Sequence, residues 1–377
     1  MRKQIYQYQE SIMKNIEEGG CVRLSRREFN KILATIGASG FLTTYKSEIV
    51  SALEQAKEND VKIFWLQGQS DSACTVSLLQ ASDPDLYDAV EELKVNIAFH
   101  PTVMPSFGDE AVKVLEEYDP DVLVLEGSIP TGDMEVACTF GERNGKEVTL
   151  VQWLNELIPR TKIAIVGFGS CATYGGIPSG KDFTGKSPTN AVGLYQFLNG
   201  KQPSVPAIMI PGCPGHPDWL LTVLAAALLG VAPDLDEYGR PEVFFSSLIH
   251  DNCVRRGYYD EGWFAESFEK SDMRYNTCLF KLGCRGPMTI SACSETKWNG
   301  GVNVCMNAGA PCIGCMHPGF PDETSPFFKE QSRLEIDTTK TLFSTLTGAV
   351  LVGAGAYIAM HAYREHKLNK ERKEEEK

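Results

Sequence analysis

Between Val61 and about residue 231 the chain alternates short unbroken apolar runs with stretches of helical period. Val61–Leu66, Val95–Phe99, Val122–Leu125, Ile163–Val166 and Ala207–Ile210 are each bounded by Gly, Pro or polar clusters and predict buried strands. Asp109–Glu117 and Leu220–Leu229 predict helices between them. Strand–helix alternation of this kind builds a parallel sheet with helices on both faces, an α/β fold. Ligands of such sheets gather beyond the carboxyl ends of the strands. Asp71, Cys74, Cys171 and Cys213 fall there, each within a few residues of a predicted strand. From Tyr238 to Glu330 the periodicity fades and Cys, Gly and Pro dominate, so this region needs cohesion from something other than a patterned core.

Two apolar segments lie outside this alternation. Ser25-Arg26-Arg27-Glu28-Phe29-Asn30-Lys31 precedes an apolar run from Ile32 to Tyr45, the arrangement of a twin-arginine export signal. Val50-Ser51-Ala52 offers a small-residue cleavage site, which makes 1–52 the expected signal peptide. At the other end, Thr341 to Ala362 carries no Asp, Glu, Lys or Arg. At 1.5 Å per residue that run reaches roughly 33 Å, enough to span the hydrocarbon core. The charged tail, 363–377, brings Arg364 and Lys367 next to the span and predicts a cytoplasmic end, with the main body on the periplasmic side. Between the two segments lie an α/β domain, 53–235, and a cysteine-rich domain, 236–335.

Composition narrows the function. Hydrophobic residues make up 43% and charged residues 23%, as in ordinary folded chains, which excludes wholesale disorder and a polytopic membrane protein. A net charge of −13 argues against a nucleic-acid binder. Of twelve cysteines, seven fall between Cys253 and Cys315. That density means either disulfides or metal. Cys312-Ile313-Gly314-Cys315 and His250-Asp251-Asn252-Cys253 have the two-residue gap that lets neighbouring side chains grip one metal centre, and a histidine has no role in a disulfide framework. Iron–sulfur clusters accept Cys with occasional His. Zinc accepts both, but leaves the third group, at the strand ends, unexplained. Two phosphate-binding patterns fail on chemistry. Gly167 to Ala172 fits G-x-G-x-x-A, yet no Asp or Glu lies between Asp182 and Asp218 to hold a ribose. Gly175 to Lys181 fits G-x-x-x-x-G-K, but Asp182 stands where a hydroxyl must reach magnesium.

Taken in order, several motifs resemble the small, electron-transferring subunit of membrane-bound nickel–iron uptake hydrogenases. They are Trp65-Leu66-Gln67-Gly68-Gln69-Ser70, Gly169-Ser170-Cys171-Ala172-Thr173-Tyr174-Gly175-Gly176, Pro211-Gly212-Cys213-Pro214, His250-x-x-Cys253, Cys284-Arg285-Gly286-Pro287-Met288-Thr289, Trp298-Asn299-x-Gly301 and Pro311-Cys312-Ile313-Gly314-Cys315. The resemblance runs from the export signal to the final apolar segment. It implies a flavodoxin-like first domain and three iron–sulfur clusters. The proximal cluster would take Asp71, Cys74, Cys171 and Cys213; the medial one Cys293, Cys305, Cys312 and Cys315; the distal one His250, Cys253, Cys278 and Cys284.

Two positions depart from the family's usual pattern. Asp71 replaces the first cysteine of a C-x-x-C, so either its carboxylate ligates iron or a three-iron cluster forms beside a solvated aspartate. Cys305 stands where many relatives have proline, which favours a four-iron medial cluster. Ten cysteines, one histidine and one aspartate then make twelve ligands for three 4Fe-4S clusters, leaving Cys21 and Cys138 over. Ala73 and Gly176 occupy the places of two extra cysteines found in oxygen-tolerant relatives. No paired C-x-x-C motifs of the kind that hold nickel and iron are present, so the resemblance implies a large-subunit partner that splits H2, assembly beyond a single heterodimer, and a di-haem cytochrome b or other quinone-linked acceptor. A hydrogen-sensing complex is the nearest alternative, although the export signal and apolar anchor speak against it. A disulfide-stapled exported binding protein is the other.

Overall fold

The computed structural model describes residues 61–82, 85, 96–228 and 233–330. The expected signal peptide, membrane span and tail lie outside the described residues. Among the described residues no helix is long and apolar enough to cross a membrane.

Five parallel strands form the central sheet: β1 (Lys62–Gln67), β2 (Asn96–Phe99), β3 (Val122–Glu126), β7 (Ala164–Phe168) and β9 (Ala207–Ile210). Their order is β2-β1-β3-β7-β9. Counting this sheet alone, that is the 2-1-3-4-5 order of flavodoxin-like doubly wound folds, with its switch point between β1 and β3. All five strands fall where the apolar runs place them, within one or two residues at either end. Register aligns Trp65 with Val124 and Val124 with Val166, so alternate residues of three strands share a face.

Each face has its own core. On one, Phe64, Leu66, Leu123, Leu125 and Ile165 meet α2 (Asp109–Glu117) and α3 (Leu150–Arg160). Helix α3 presents Leu150, Trp153, Leu154, Leu157 and Ile158, the i, i+3, i+4, i+7, i+8 stripe of an amphipathic helix. Its start is fixed reciprocally: Gln152 N donates to Thr149 Oγ1 at 3.2 Å, and Thr149 N to Gln152 Oε1 at 2.9 Å. Fully burying each Leu or Ile of that stripe contributes roughly 1.5–3 kcal/mol. On the other face, Ile63, Trp65, Val122, Val166 and Ile208 meet α6 (Pro217–Leu228), which starts three residues earlier than its apolar period suggests, with Pro217 in the first turn. Three further elements matter here. Helix α1 (Ala73–Leu78) follows β1, α4 (Ser170–Tyr174) follows β7, and α5 (Leu194–Phe197) follows the two-residue pair β4 (Ile129–Pro130) and β8 (Ala191–Val192).

The cysteine-rich region packs on this second face. Phe244, Phe245, Ile249, Cys293, Met306 and Met316 belong to the same buried cluster as Ile63 and Trp65, so the apolar core runs continuously across residue 236. An antiparallel hairpin of β5 (Thr139–Arg143) and β6 (Lys146–Thr149) stands apart from the main sheet. Its turn residues Asn144 and Gly145 both have positive φ (54° and 73°), as a tight hairpin turn requires.

Candidate functional site

Three strands deliver the first group of candidate ligands. After β1 the chain turns through Ser70 and Asp71 and enters α1, which carries Cys74; α4 carries Cys171; and the segment after β9 carries Cys213. Gly169, at φ +93°, lies so close to Cys74 that a Cβ there would stand 2.3 Å from its Sγ. A Cβ on Gly176 would meet Cys171 Sγ at 2.8 Å, and Gly215 N donates to Cys74 Sγ at 3.4 Å. Burial raises the Cys74 thiol well above its ordinary value, with Glu126, Cys171 and Cys213 adding to the rise. Burial also pushes Cys171 up to about 12, with further contributions from Cys213, Asp71 and Glu126. Asp71 thus acts on Cys171 and Cys213, and those two act in turn on Cys74, which makes the four a candidate ligand group. Cys213 and Asp71 are its exposed members.

The second group is Cys293, Cys305, Cys312 and Cys315. Burial pushes Cys293 up to about 12 with Cys305 as a contributing neighbour, and raises Cys315 well above its usual range with Cys293, Cys305 and Cys213 contributing. The third group lines one cavity: His250, Cys253, Cys278 and Cys284 all face it, with Arg255 and Met306 beside them. Burial raises Cys278 to about 12 and Cys284 to about 11. The His250 ring packs edge-on against Tyr259 at 4.5 Å.

Bonds tie the groups into a series. Ser170 Oγ accepts from Gly212 N at 2.9 Å and donates to the Cys315 carbonyl, which joins the first group to the second. Arg285 N donates to the Cys312 carbonyl at 2.7 Å, and Arg285 follows Cys284, which joins the second to the third.

This donor set fits iron–sulfur clusters. Thiols held neutral by burial become thiolates when iron supplies the compensating charge. Among the described residues no three His, Cys, Asp or Glu side chains converge as ligands to one ion. In a cube each ligand holds a different iron, so its ligands stand further apart than those of a single ion. All eleven cysteines among the described residues are free thiols. The dinucleotide-like run is occupied otherwise: Gly169 makes room for a thiol rather than a phosphate. Cys138 stands aside, its thiol raised to about 11 by burial and directed at the Gln67 carbonyl at 3.7 Å.

Glu126 is the functional residue that sequence reasoning missed. It closes β3 and is 1% exposed. Its carboxylate accepts from Trp65 Nε1 (2.9 Å), Gln67 Nε2 (3.1 Å), Ser70 Oγ (3.0 Å), Cys74 N (3.1 Å), Thr75 N (3.2 Å) and Thr75 Oγ1. It therefore fixes the whole turn that carries Asp71 and Cys74. One signal was available: a single acid ending the run Val122-Leu123-Val124-Leu125.

Residues 245–328 match the family model for the C-terminal part of NiFe/NiFeSe hydrogenase small subunits, and residues 72–227 match that for the NADH ubiquinone oxidoreductase 20 kDa subunit. The chain is 36% identical to the F420 non-reducing hydrogenase II small subunit of Methanosarcina mazei, with 92% of this chain and 95% of that one covered. It is also 36% identical to the periplasmic [NiFeSe] hydrogenase small subunit of Desulfomicrobium baculatum, over 81% of this chain and 98% of that one. The chain belongs to the nickel–iron hydrogenase small-subunit family. Among solved structures, the actinobacterial-type NiFe-hydrogenase of Ralstonia eutropha superposes with a TM-score of 0.64 at 33% identity, covering 76% of this chain and 91% of that one. As a hydrogenase small subunit, the chain pairs with a large subunit that holds the nickel–iron centre, and its family carries iron–sulfur clusters. Family membership removes the disulfide-stapled binding protein as an alternative.

Proposed function

We propose that this small subunit relays electrons from H2 oxidation in the large subunit through three 4Fe-4S clusters to a quinone-linked membrane acceptor such as a cytochrome b. The observation that carries this reading is the tethered series of three ligand groups. Asp71, Cys74, Cys171 and Cys213 hold the proximal cluster; Cys293, Cys305, Cys312 and Cys315 the medial one; His250, Cys253, Cys278 and Cys284 the distal one. Bound there, iron–sulfur clusters supply one-electron redox centres. The protein's part is to space them, exclude water and set their charge environment. Asp71 supports its role as the fourth proximal ligand by position: Asp71 Oδ1 accepts from Ala73 N at 3.0 Å, which holds the carboxylate over the start of α1. Its neighbours Cys171 and Cys213 feel its charge.

The test compares Asp71→Ala and Asp71→Cys in the purified heterodimer. Loss of one ligand in the Ala variant should lower iron content and convert the proximal signal to that of a three-iron cluster. The Cys variant should keep four irons at a changed potential, because thiolate is the softer donor. An Ala variant with the parent's iron content and paramagnetic resonance spectrum would remove Asp71 from the ligand set.

The export signal and the apolar segment 341–362 support placement in the cell membrane, with the main body periplasmic. A chain ending at Lys340 should give a soluble complex that still oxidises H2 with a dye but delivers few electrons to quinone. Unchanged membrane retention of that complex would mean that a partner, not this segment, holds it.

A further inference from the structure

Arg255 lies between two ligand groups and is only 1% exposed. Its guanidinium makes three bonds, all to main-chain carbonyls: Nε donates to Met306 O at 2.9 Å, and the two terminal nitrogens to Thr277 O and Ser271 O at 2.6 Å each. None of these partners is a carboxylate. Asp272, the acid that acts on it through space, is half exposed and pairs with Arg274 at 3.6 Å. Arg240, also buried, shows the contrast: it meets Asp236 at 2.7 Å. A buried cation bound only to carbonyls carries a charge that its own neighbours leave uncompensated.

The placement of those carbonyls is informative. Thr277 precedes Cys278, Met306 follows Cys305, and Arg255 itself lies two residues after Cys253. The guanidinium thus clamps together loops bearing two distal ligands and one medial ligand. It also lines the cavity that His250, Cys253, Cys278 and Cys284 share. Cys253 and Cys278 are the first two groups whose charge acts on it, and its own charge favours the thiolate at Cys253.

We infer that Arg255 is the built-in counter-charge of the distal centre, holding its reduced state favourable relative to the centres before it. The inference rests on the distal ligand assignment above. H2 oxidised on the large subunit releases two protons and two electrons. Each electron that reaches the distal centre makes it one unit more negative, with no bond made or broken. A fixed positive charge in the same low-dielectric surroundings stabilises that added charge, and solvent screens a buried pair far less than an exposed one. Net charge is among the terms that set cluster potentials. Arg255 is therefore a positioning residue for electron exit, acting through charge as well as through its clamp.

The test uses the heterodimer purified as a whole, with the distal signal followed by paramagnetic resonance during a redox titration. Arg255→Gln removes the charge. It should shift the reduced-to-oxidised ratio of the distal centre about tenfold toward oxidised at a given potential, about 59 mV lower for one electron. Arg255→Lys keeps the charge but loses the planar fork, and should leave the midpoint near the parent's. Iron content is measured on all three proteins. A Gln variant that keeps its irons and the parent's midpoint overturns the inference, as does loss of the distal centre from both variants. Loss from Gln alone, with Lys intact, supports it. Failure of the ligand assignment looks different: the parent itself would then show no distal signal, and Cys284→Ala would change nothing.

Discussion

At the carboxyl end of the sheet, Asp71, Cys74, Cys171 and Cys213 follow three parallel strands, around the buried acid Glu126. At the far side, His250, Cys253, Cys278 and Cys284 sit on loops and short turns, with the buried Arg255 lining their cavity and the buried Arg285 following Cys284. Strand ends are held by the backbone ladder, so the first site needs one hub to fix the turn between β1 and α1. Loops have no ladder. Each must be pinned by a side chain long enough to reach several carbonyls, and arginine has the donors for it. The charges differ with the scaffold. A carboxylate collects main-chain N–H groups at the start of a helix; a guanidinium collects the carbonyls of irregular chain. In the proposed relay an anion sits where electrons enter and cations where they leave, and both biases favour outward flow.

The largest effect is expected at Glu126. Glu126→Leu strips the acceptor from two buried main-chain N–H groups, Cys74 N and Thr75 N, as well as from Trp65, Gln67 and Ser70. At about 1–3 kcal/mol for each buried group left unsatisfied, the two main-chain donors alone give a loss of about 2–6 kcal/mol. Thermal unfolding should show that loss, and the proximal signal should disappear while the distal signal remains. Equal loss at both ends would mean that Glu126 supports the whole chain rather than its own site.

Features encoded by local pattern are legible in the sequence, and features made by distant partners are not. The strands were legible because Val122-Leu123-Val124-Leu125 and its counterparts are unbroken apolar runs of strand length. The candidate ligand pairs Cys312-x-x-Cys315 and His250-x-x-Cys253 are legible from spacing, whereas Cys278, Cys284, Cys293 and Cys305 join a ligand set only through the family resemblance. The hub acid and the two clamp arginines were not legible, because their partners are distant in the chain: Glu126 meets Cys74 across 52 positions and Arg255 meets Met306 across 51. No local pattern encodes such a meeting. The continuous core was hidden for the same reason, since Phe244 and Ile249 show no period of their own and acquire a face only by packing on the sheet. The Asn144–Gly145 hairpin is a different case: its turn signal is local and strong, yet it stands outside the strand–helix alternation.

A smaller effect is expected at Arg285, and it separates clamp from charge at the far end. Arg285 Nε donates to Thr324 O at 2.7 Å, and its terminal nitrogens to Pro326 O at 2.8 Å and Lys329 O at 3.1 Å. Its side chain thus reaches toward residues 324–329, whereas Arg255 lines the distal cavity. The segment it holds is close-packed: a Cβ on Gly283, at φ +87°, would stand 2.5 Å from Lys329 N. Two of the three carbonyls belong to exposed residues and can turn to water. Arg285→Met should therefore cost about 1.5–3 kcal/mol, at the scale of one charge-assisted hydrogen bond rather than three. Limited proteolysis should find residues 324–329 newly cleavable, while the distal midpoint stays near the parent's. A midpoint shift as large as that of Arg255→Gln would mean that buried positive charge at this end acts collectively, and that Arg255 has no privileged place in it.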